Sequence, residues 1–202
     1  MLHKKFIFCK IQARTVYFLF SLIFYFPLFP LFPYFPMTPD FSLVLNRSAY
    51  SFSANHFITF DNGACEPLHG HDFQLSVRVW GANNASGYVL DFLELEKVLR
   101  QIISVWDHKT LLPRQNPFLQ IQEIQEQIEI KYYQPGQNLS WSLPVEHCCL
   151  LDIVNTTTEL LAQELAERLA PFLGRYPTIQ SWEVALTEAP GCTACCRYQP
   201  EP

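Results

Sequence analysis

The sequence has no cluster of basic residues. Its 14 Lys and Arg are outnumbered by 19 Asp and Glu, for a net charge of −5. A nucleic-acid groove neutralises phosphates with clustered cations, so that class of partner is not expected. The even, spaced cysteines of a secreted disulfide scaffold are also missing. There are seven, an odd number, and four of them form the adjacent pairs Cys148-Cys149 and Cys195-Cys196. This usage points to a reducing, cytoplasmic compartment. No internal repeat is visible. What the chain has in quantity is apolar surface: 49% hydrophobic and 15% aromatic over 202 residues. That is enough for one domain with a real core, and it excludes wholesale disorder.

Residues 1–40 differ in kind from the rest. Lys4, Lys5, Lys10 and Arg14 precede an apolar run from Val16 to Phe26, and Pro27, Pro30, Pro33 and Pro36 then follow at a spacing of three. The basic start resembles a signal peptide, but no small-residue cleavage site follows. A spanning helix needs about 20 apolar residues, and the prolines break the second half of this one, so a membrane role is not expected. Three readings stand: a leader, a membrane-directed segment, or residues upstream of a start at Met37. The chemistry is expected in residues 41–202.

There, Phe41–Ile58 reads as extended chain and Asp61-Asn62-Gly63 as a turn. His71–Trp80 alternates, with Phe73, Leu75, Val77 and Val79 facing one way, and Tyr88–Asp91 reads as a short strand end. Apolar residues at helical spacing predict helices over Phe92–Val105 and Thr156–Phe172, the first capped by Asp91 and the second by Asn155 or a neighbouring Thr. Gln127–Tyr133 and Asn138–Leu143 flank a turn and predict a β-hairpin, and Ser181–Glu188 predicts a last strand. Strands dominate and two helices remain to cover a sheet face, so the fold class is α+β, an antiparallel β-sheet packed on two helices.

The chemistry gathers at three histidines. His69 and His71 flank Gly70 at the start of a strand, so both imidazoles project from one face. His56 ends the preceding extended segment, and an antiparallel return brings it alongside. Three neutral imidazoles with an open fourth position describe a catalytic Zn2+ site. A lone H-x-H is often an accident of an exposed strand, and Cys65 nearby is open to reading as a fourth ligand.

At these residues the chain resembles the 6-pyruvoyltetrahydropterin synthase and 6-carboxy-5,6,7,8-tetrahydropterin synthase family. Phe52-Ser53-Ala54-Asn55-His56 and Cys65-Glu66-Pro67-Leu68-His69-Gly70-His71 resemble its F-x-A-x-H and C-x-x-x-H-G-H. Gly87–Phe92, Trp106-Asp107-His108, Asn155–Ala162 and Val184–Glu188 resemble further blocks in the same order. The resemblance implies a tunnelling fold, in which a four-stranded antiparallel sheet packs on two helices. It also implies a homo-oligomer, usually a hexamer, with active sites between subunits. By matching position, His56, His69 and His71 hold zinc, and Cys65 is the proton-abstracting thiolate. Asp107 and His108 form a relay, Glu188 anchors the pterin ring and Thr157 contacts it.

The implied reaction is a lyase reaction that converts 7,8-dihydroneopterin triphosphate to 6-carboxy-5,6,7,8-tetrahydropterin, towards the 7-deazaguanine of queuosine. Formation of 6-pyruvoyltetrahydropterin uses the same ligands. The chain also departs from the pattern. Glu66 beside Cys65 resembles a branch that cleaves dihydroneopterin side chains towards folate, with Glu66 as an alternative base. Thr156 replaces the usual Pro, and Asp107 and Asn155 lie 48 positions apart, which makes room for the hairpin. A non-enzymatic alternative is a zinc-binding module without turnover.

Overall fold

The computed structural model describes residues 40–199, and the readings of the N-terminal extension lie outside the described residues. Among the described residues no helix is long and apolar enough to cross a membrane. The chain runs β1 (Phe41–His56), β2 (His69–Gly81), α1 (Phe92–Ser104), β3 (Lys109–Pro113), β4 (Leu119–Ile124), β5 (Gln127–Gln134) and β6 (Gln137–Pro144). It continues through a 3-10 turn (Val145–His147) into β7 (Cys148–Leu151), α2 (Thr158–Leu173), β8 (Ile179–Ala189) and β9 (Cys192–Tyr198).

The main sheet has six strands in the order β7-β3-β1-β2-β8-β9. Its antiparallel part, β1-β2-β8-β9, is the expected four-stranded unit. Two short strands extend it beyond the antiparallel expectation, because β3 pairs parallel to β1 and β7 parallel to β3. Period-2 alternation puts Phe73, Leu75, Val77 and Val79 of β2 on one face, all buried, beside Val184 and Leu186 of β8. Both helices cover that face. Leu95, Leu99 and Ile103 of α1 recur every fourth residue and are buried. Leu161, Leu165, Ala166 and Leu169 do the same for α2.

The helix starts are set by side-chain caps. Asp91 accepts a hydrogen bond from the Leu93 amide at 2.8 Å. Thr157 caps α2 by accepting from the Leu160 amide at 3.4 Å, so α2 begins two residues later than the sequence pattern predicts. The expected strand end at Tyr88–Asp91 is instead irregular chain leading into the Asp91 cap.

The predicted hairpin is present as β5 and β6, joined through a turn with Gly136 at φ +87°. A third strand, β4, completes a separate sheet, β4-β5-β6. That sheet closes a second apolar cluster, in which Ile128, Ile130 and Tyr132 pack with Phe57, Cys65 and Leu112. Phe57 stacks on Trp141, with ring centroids 5.0 Å apart. The insertion therefore sits on the loop between β1 and β2.

Removing the α1 cap with Asp91→Ala is expected to cost about 1 kcal/mol, while Asp91→Ser stays near the parent value. Thermal unfolding followed by circular dichroism checks this, with a shift of roughly 2–4 °C for a domain of this size.

Candidate metal centre

The register of β1 on β2 builds the centre. His56 pairs with His69 and Ala54 with His71, so the three imidazoles share the helix-covered face at one end of the sheet. Their ring centroids lie 4.7 Å (His56–His69), 4.8 Å (His69–His71) and 5.3 Å (His56–His71) apart. Phe73, next on the same face, floors the group against His56 and His71. A Cβ at Gly70 would overlap the Asn55 side-chain oxygen across the strand pair, so a larger residue there needs the Asn55 side chain to move.

Proton placement follows from the partners. His56 Nδ1 lies 2.8 Å from the Thr156 carbonyl oxygen, and His69 Nδ1 lies 2.8 Å from that of Pro67. A carbonyl oxygen only accepts, so each Nδ1 donates and each Nε2 keeps its lone pair. His56 is fully buried, and burial holds its imidazole below the ordinary value despite the opposing pull of the Thr156 carbonyl and Glu188. A neutral ring is the form that binds a cation.

Glu188 joins this group. A register shift between Thr187 and Ala189 places it at a bulge in β8, and bulges re-aim side chains. Its Oε1 lies 3.3 Å from His56 Nε2 and 3.0 Å from His71 Nε2, while its Oε2 accepts from the Thr158 hydroxyl. Despite these separations, both Nε2 atoms are buried without a hydrogen-bond partner. For His56 the tautomer explains this, since an Nε2 lone pair and a carboxylate oxygen are both acceptors and do not hydrogen-bond to each other. One ligand atom from each of His56, His69, His71 and Glu188 lies within 4.8 Å of the other three. Orphaned nitrogens, fixed tautomers and a hard carboxylate fit a divalent cation such as Zn2+.

The start of α2 supports the ligands from behind. Thr156 is fully buried, and its hydroxyl donates to the Phe57 carbonyl at 2.7 Å while its own carbonyl receives His56. The Asn155 amide donates to the Thr59 carbonyl at 2.8 Å. A proline at position 156 has no hydroxyl for the Phe57 bond. The departure at this position thus carries its own contact.

A cleft of about 500 Å³ opens beside Glu188, lined by Thr157, Thr158, Asn155, Thr59, Asp61 and Cys192 among others. Thr157 thus lines this cleft as well as capping α2. The exposed Cys192 reaches it from the start of β9.

The remaining predicted residues lie elsewhere. Asp107 accepts from the Ser53 amide at 3.0 Å and pairs with His108 Nδ1 at 2.9 Å. His108 has a left-handed backbone, φ +57°, and an exposed ring. It lines a second cleft with Ser53, Asn55, Gly70 and Asp72, and His71 borders the same cleft, although His108 is not among the residues that converge as the ligand group. Within one chain the dyad is therefore not part of the ligand group.

Cys65 is buried in the apolar cluster under the insertion, and its thiol donates to the Glu66 carbonyl at 3.4 Å. Burial, then the Glu66 charge, pushes the thiol up to about 11, opposite to the lowering expected of a thiolate base. The Glu66 carboxylate accepts from the Ile58 amide at 3.2 Å, two residues beyond His56. Of the two cations near the sequence motifs, Lys109 donates to the Glu146 carbonyl and Arg114 pairs with Asp152 at 3.3 Å. What the sequence reading missed is Glu188 in contact with the histidines. Its only sequence signal is its parity with Leu186, two residues earlier on the core face.

Comparison with known proteins places this geometry. The family model for 6-pyruvoyl tetrahydropterin synthase matches residues 46–200. A putative 6-carboxy-5,6,7,8-tetrahydropterin synthase of Methanocaldococcus jannaschii is 33% identical over 151 residues, covering 72% of this chain and 88% of the relative. A dihydroneopterin monophosphate aldolase of Pyrococcus furiosus is 43% identical over 61 residues, 30% of this chain and 51% of that protein. The crystal structure of 6-pyruvoyl tetrahydropterin synthase from Plasmodium vivax superposes with a TM-score of 0.74 at 28% identity, covering 81% of this chain and all of that one. A further structure of the Plasmodium protein replaces a glutamate described as its catalytic residue.

At a given pH, a thiol at about 11 carries roughly 100-fold less thiolate than one at 9.0. Iodoacetamide at pH 8 is therefore expected to alkylate Cys192 at least tenfold faster than Cys65, as read by peptide mass mapping.

Proposed function

The chain belongs to the 6-pyruvoyl tetrahydropterin synthase family, and from that premise we propose that it is a zinc-dependent lyase converting 7,8-dihydroneopterin triphosphate to 6-carboxy-5,6,7,8-tetrahydropterin, towards 7-deazaguanine and queuosine. The observation that carries this reading is the convergence of three imidazoles, of which His56 and His71 each have a buried Nε2 without a hydrogen-bond partner. His56, His69 and His71 hold the ion. A bound Zn2+ supplies Lewis acidity to the side-chain oxygens of the substrate, which acidifies the neighbouring C–H.

The protein's own groups do the rest. Glu188 and Thr157 orient the pterin from the cleft, a carboxylate being suited to the paired donors of the ring's guanidine-like edge. Cys65 removes the substrate proton, and Asp107 holds the proton on His108 Nδ1, leaving Nε2 free to accept one. The dyad is not among the converging ligand residues of its own chain. In a ring of copies, usually a hexamer, it is free to serve the site of a neighbour. The enzyme works in the cytoplasm.

A second reading is favoured by the raised Cys65 thiol and the backbone-held Glu66 carboxylate. In it Glu66 is the base and the dihydroneopterin side chain is cleaved towards folate; the Pyrococcus furiosus relative is named a dihydroneopterin monophosphate aldolase.

The purified protein with zinc and 7,8-dihydroneopterin triphosphate is expected to yield 6-carboxy-5,6,7,8-tetrahydropterin, identified by chromatography and mass spectrometry. Loss of the base lowers kcat by about 10²–10⁴-fold. Cys65→Ala is expected to show that loss, with Glu66→Gln retaining most activity. The reverse pattern transfers the assignment to the Glu66 reading, and no pterin turnover at all overturns both.

A further inference from the structure

We propose that Glu188 is the fourth ligand of the metal in the substrate-free protein, and that it leaves this position when a pterin enters the adjacent cleft. One carboxylate then controls access to the ion. The inference rests on the reading above that His56, His69 and His71 hold a metal.

The distances carry it. Ligand bonds of about 2.0–2.1 Å place neighbouring corners of a tetrahedron roughly 3.3 Å apart. Glu188 Oε1 lies 3.3 Å from His56 Nε2 and 3.0 Å from His71 Nε2, which matches two of the six edges of such a tetrahedron, and the four ligand atoms together lie within 4.8 Å of one another. Neither nitrogen makes a hydrogen bond, so the carboxylate is not held there as an acceptor for an imidazole N–H. The other oxygen, Oε2, accepts from the Thr158 hydroxyl, which leaves one oxygen for the ion and fixes the orientation of the group. The bulge at Glu188 supplies the local freedom to aim it.

The same side chain lines the cleft with Thr157 and Thr158. A ligand presenting two parallel N–H donors there competes with the ion for one carboxylate. When Glu188 turns to the ligand, three histidines remain and a coordination position opens beside the bound molecule. The closed set of four protein ligands, typical of an inert site, becomes the open set of three that chemistry needs.

The test uses the full chain loaded with Co2+ in place of zinc, its visible absorption spectrum, and metal affinity from competition with a chromophoric chelator. The parent protein is expected to show a four-coordinate spectrum that does not respond to azide. Glu188→Gln, nearly isosteric, is expected to bind metal about 10- to 100-fold more weakly and to respond to azide. Thr158→Val, which removes only the hydroxyl, is expected to shift in the same direction by less. Saturating neopterin is expected to make the parent spectrum respond to azide. Wild-type affinity and an unchanged spectrum in Glu188→Gln overturn the proposal. A parent spectrum that neopterin leaves unresponsive to azide overturns the exchange. The underlying metal reading fails separately, if His56→Ala retains the metal or the parent takes up none.

Discussion

The pairing of β1 with β2 sets everything that follows in this molecule. Opposite each other stand His56 and His69, Ala54 and His71, Phe52 and Phe73. Side chains alternate with a period of two, so a slip of one residue would send His69 and His71 to the outer face together with Phe73, Leu75 and Val77. Those three apolar residues are fully or almost fully buried. The core therefore enforces the metal register: the free energy of burying the β2 face also holds the ligands together. The candidate centre is the polar end of a hydrophobic stripe, and it inherits that stripe's rigidity.

Histidines brought together by a sheet still need the right tautomer and depth, and the start of α2 supplies both. The Thr156 carbonyl receives the His56 proton, and the Thr156 hydroxyl ties down the Phe57 carbonyl next to it. Thr158, in the first turn of the helix, holds Glu188. Three consecutive threonines thus do three jobs, since Thr157 caps the helix that positions the other two.

How much of this was legible follows from the range of each interaction. The H-x-H face, the Asp91 cap and the two helices rest on local periodicity, which a single sequence displays. Strands β3 and β7 (Lys109–Pro113 and Cys148–Leu151) do not alternate, because they are too short and add in parallel to an edge. β4 is recognisable only through its partner β5, and β9 only through β8. The environment of Cys65 was beyond sequence reasoning altogether. Its neighbours Ile128, Ile130 and Tyr132 arrive from an insertion more than sixty positions away. The contact of Glu188 with the histidines needs the β2–β8 pairing and the β8 bulge together, and neither is a local signal.

The insertion changes what the β1–β2 loop is. Tyr132 donates to the Gly63 carbonyl, Gln137 donates to the Cys65 carbonyl at 3.3 Å, and Trp141 stacks on Phe57. A connection of this length would ordinarily be among the more mobile parts of a domain. Here His56 and His69 of the candidate centre stand at its two ends and its middle is pinned by the insertion, so Cys65 and Glu66 are held in place. A base that is already positioned needs little reorganisation in the transition state, which is where positioning contributes to rate. The same packing desolvates the Cys65 thiol and disfavours its ionised form. Rigidity and acidity are therefore opposed at Cys65. The Glu66 carboxylate is held by the Ile58 amide and is partly buried. That opposition at Cys65 is the physical reason both members of the pair, rather than Cys65 alone, stand as candidate bases.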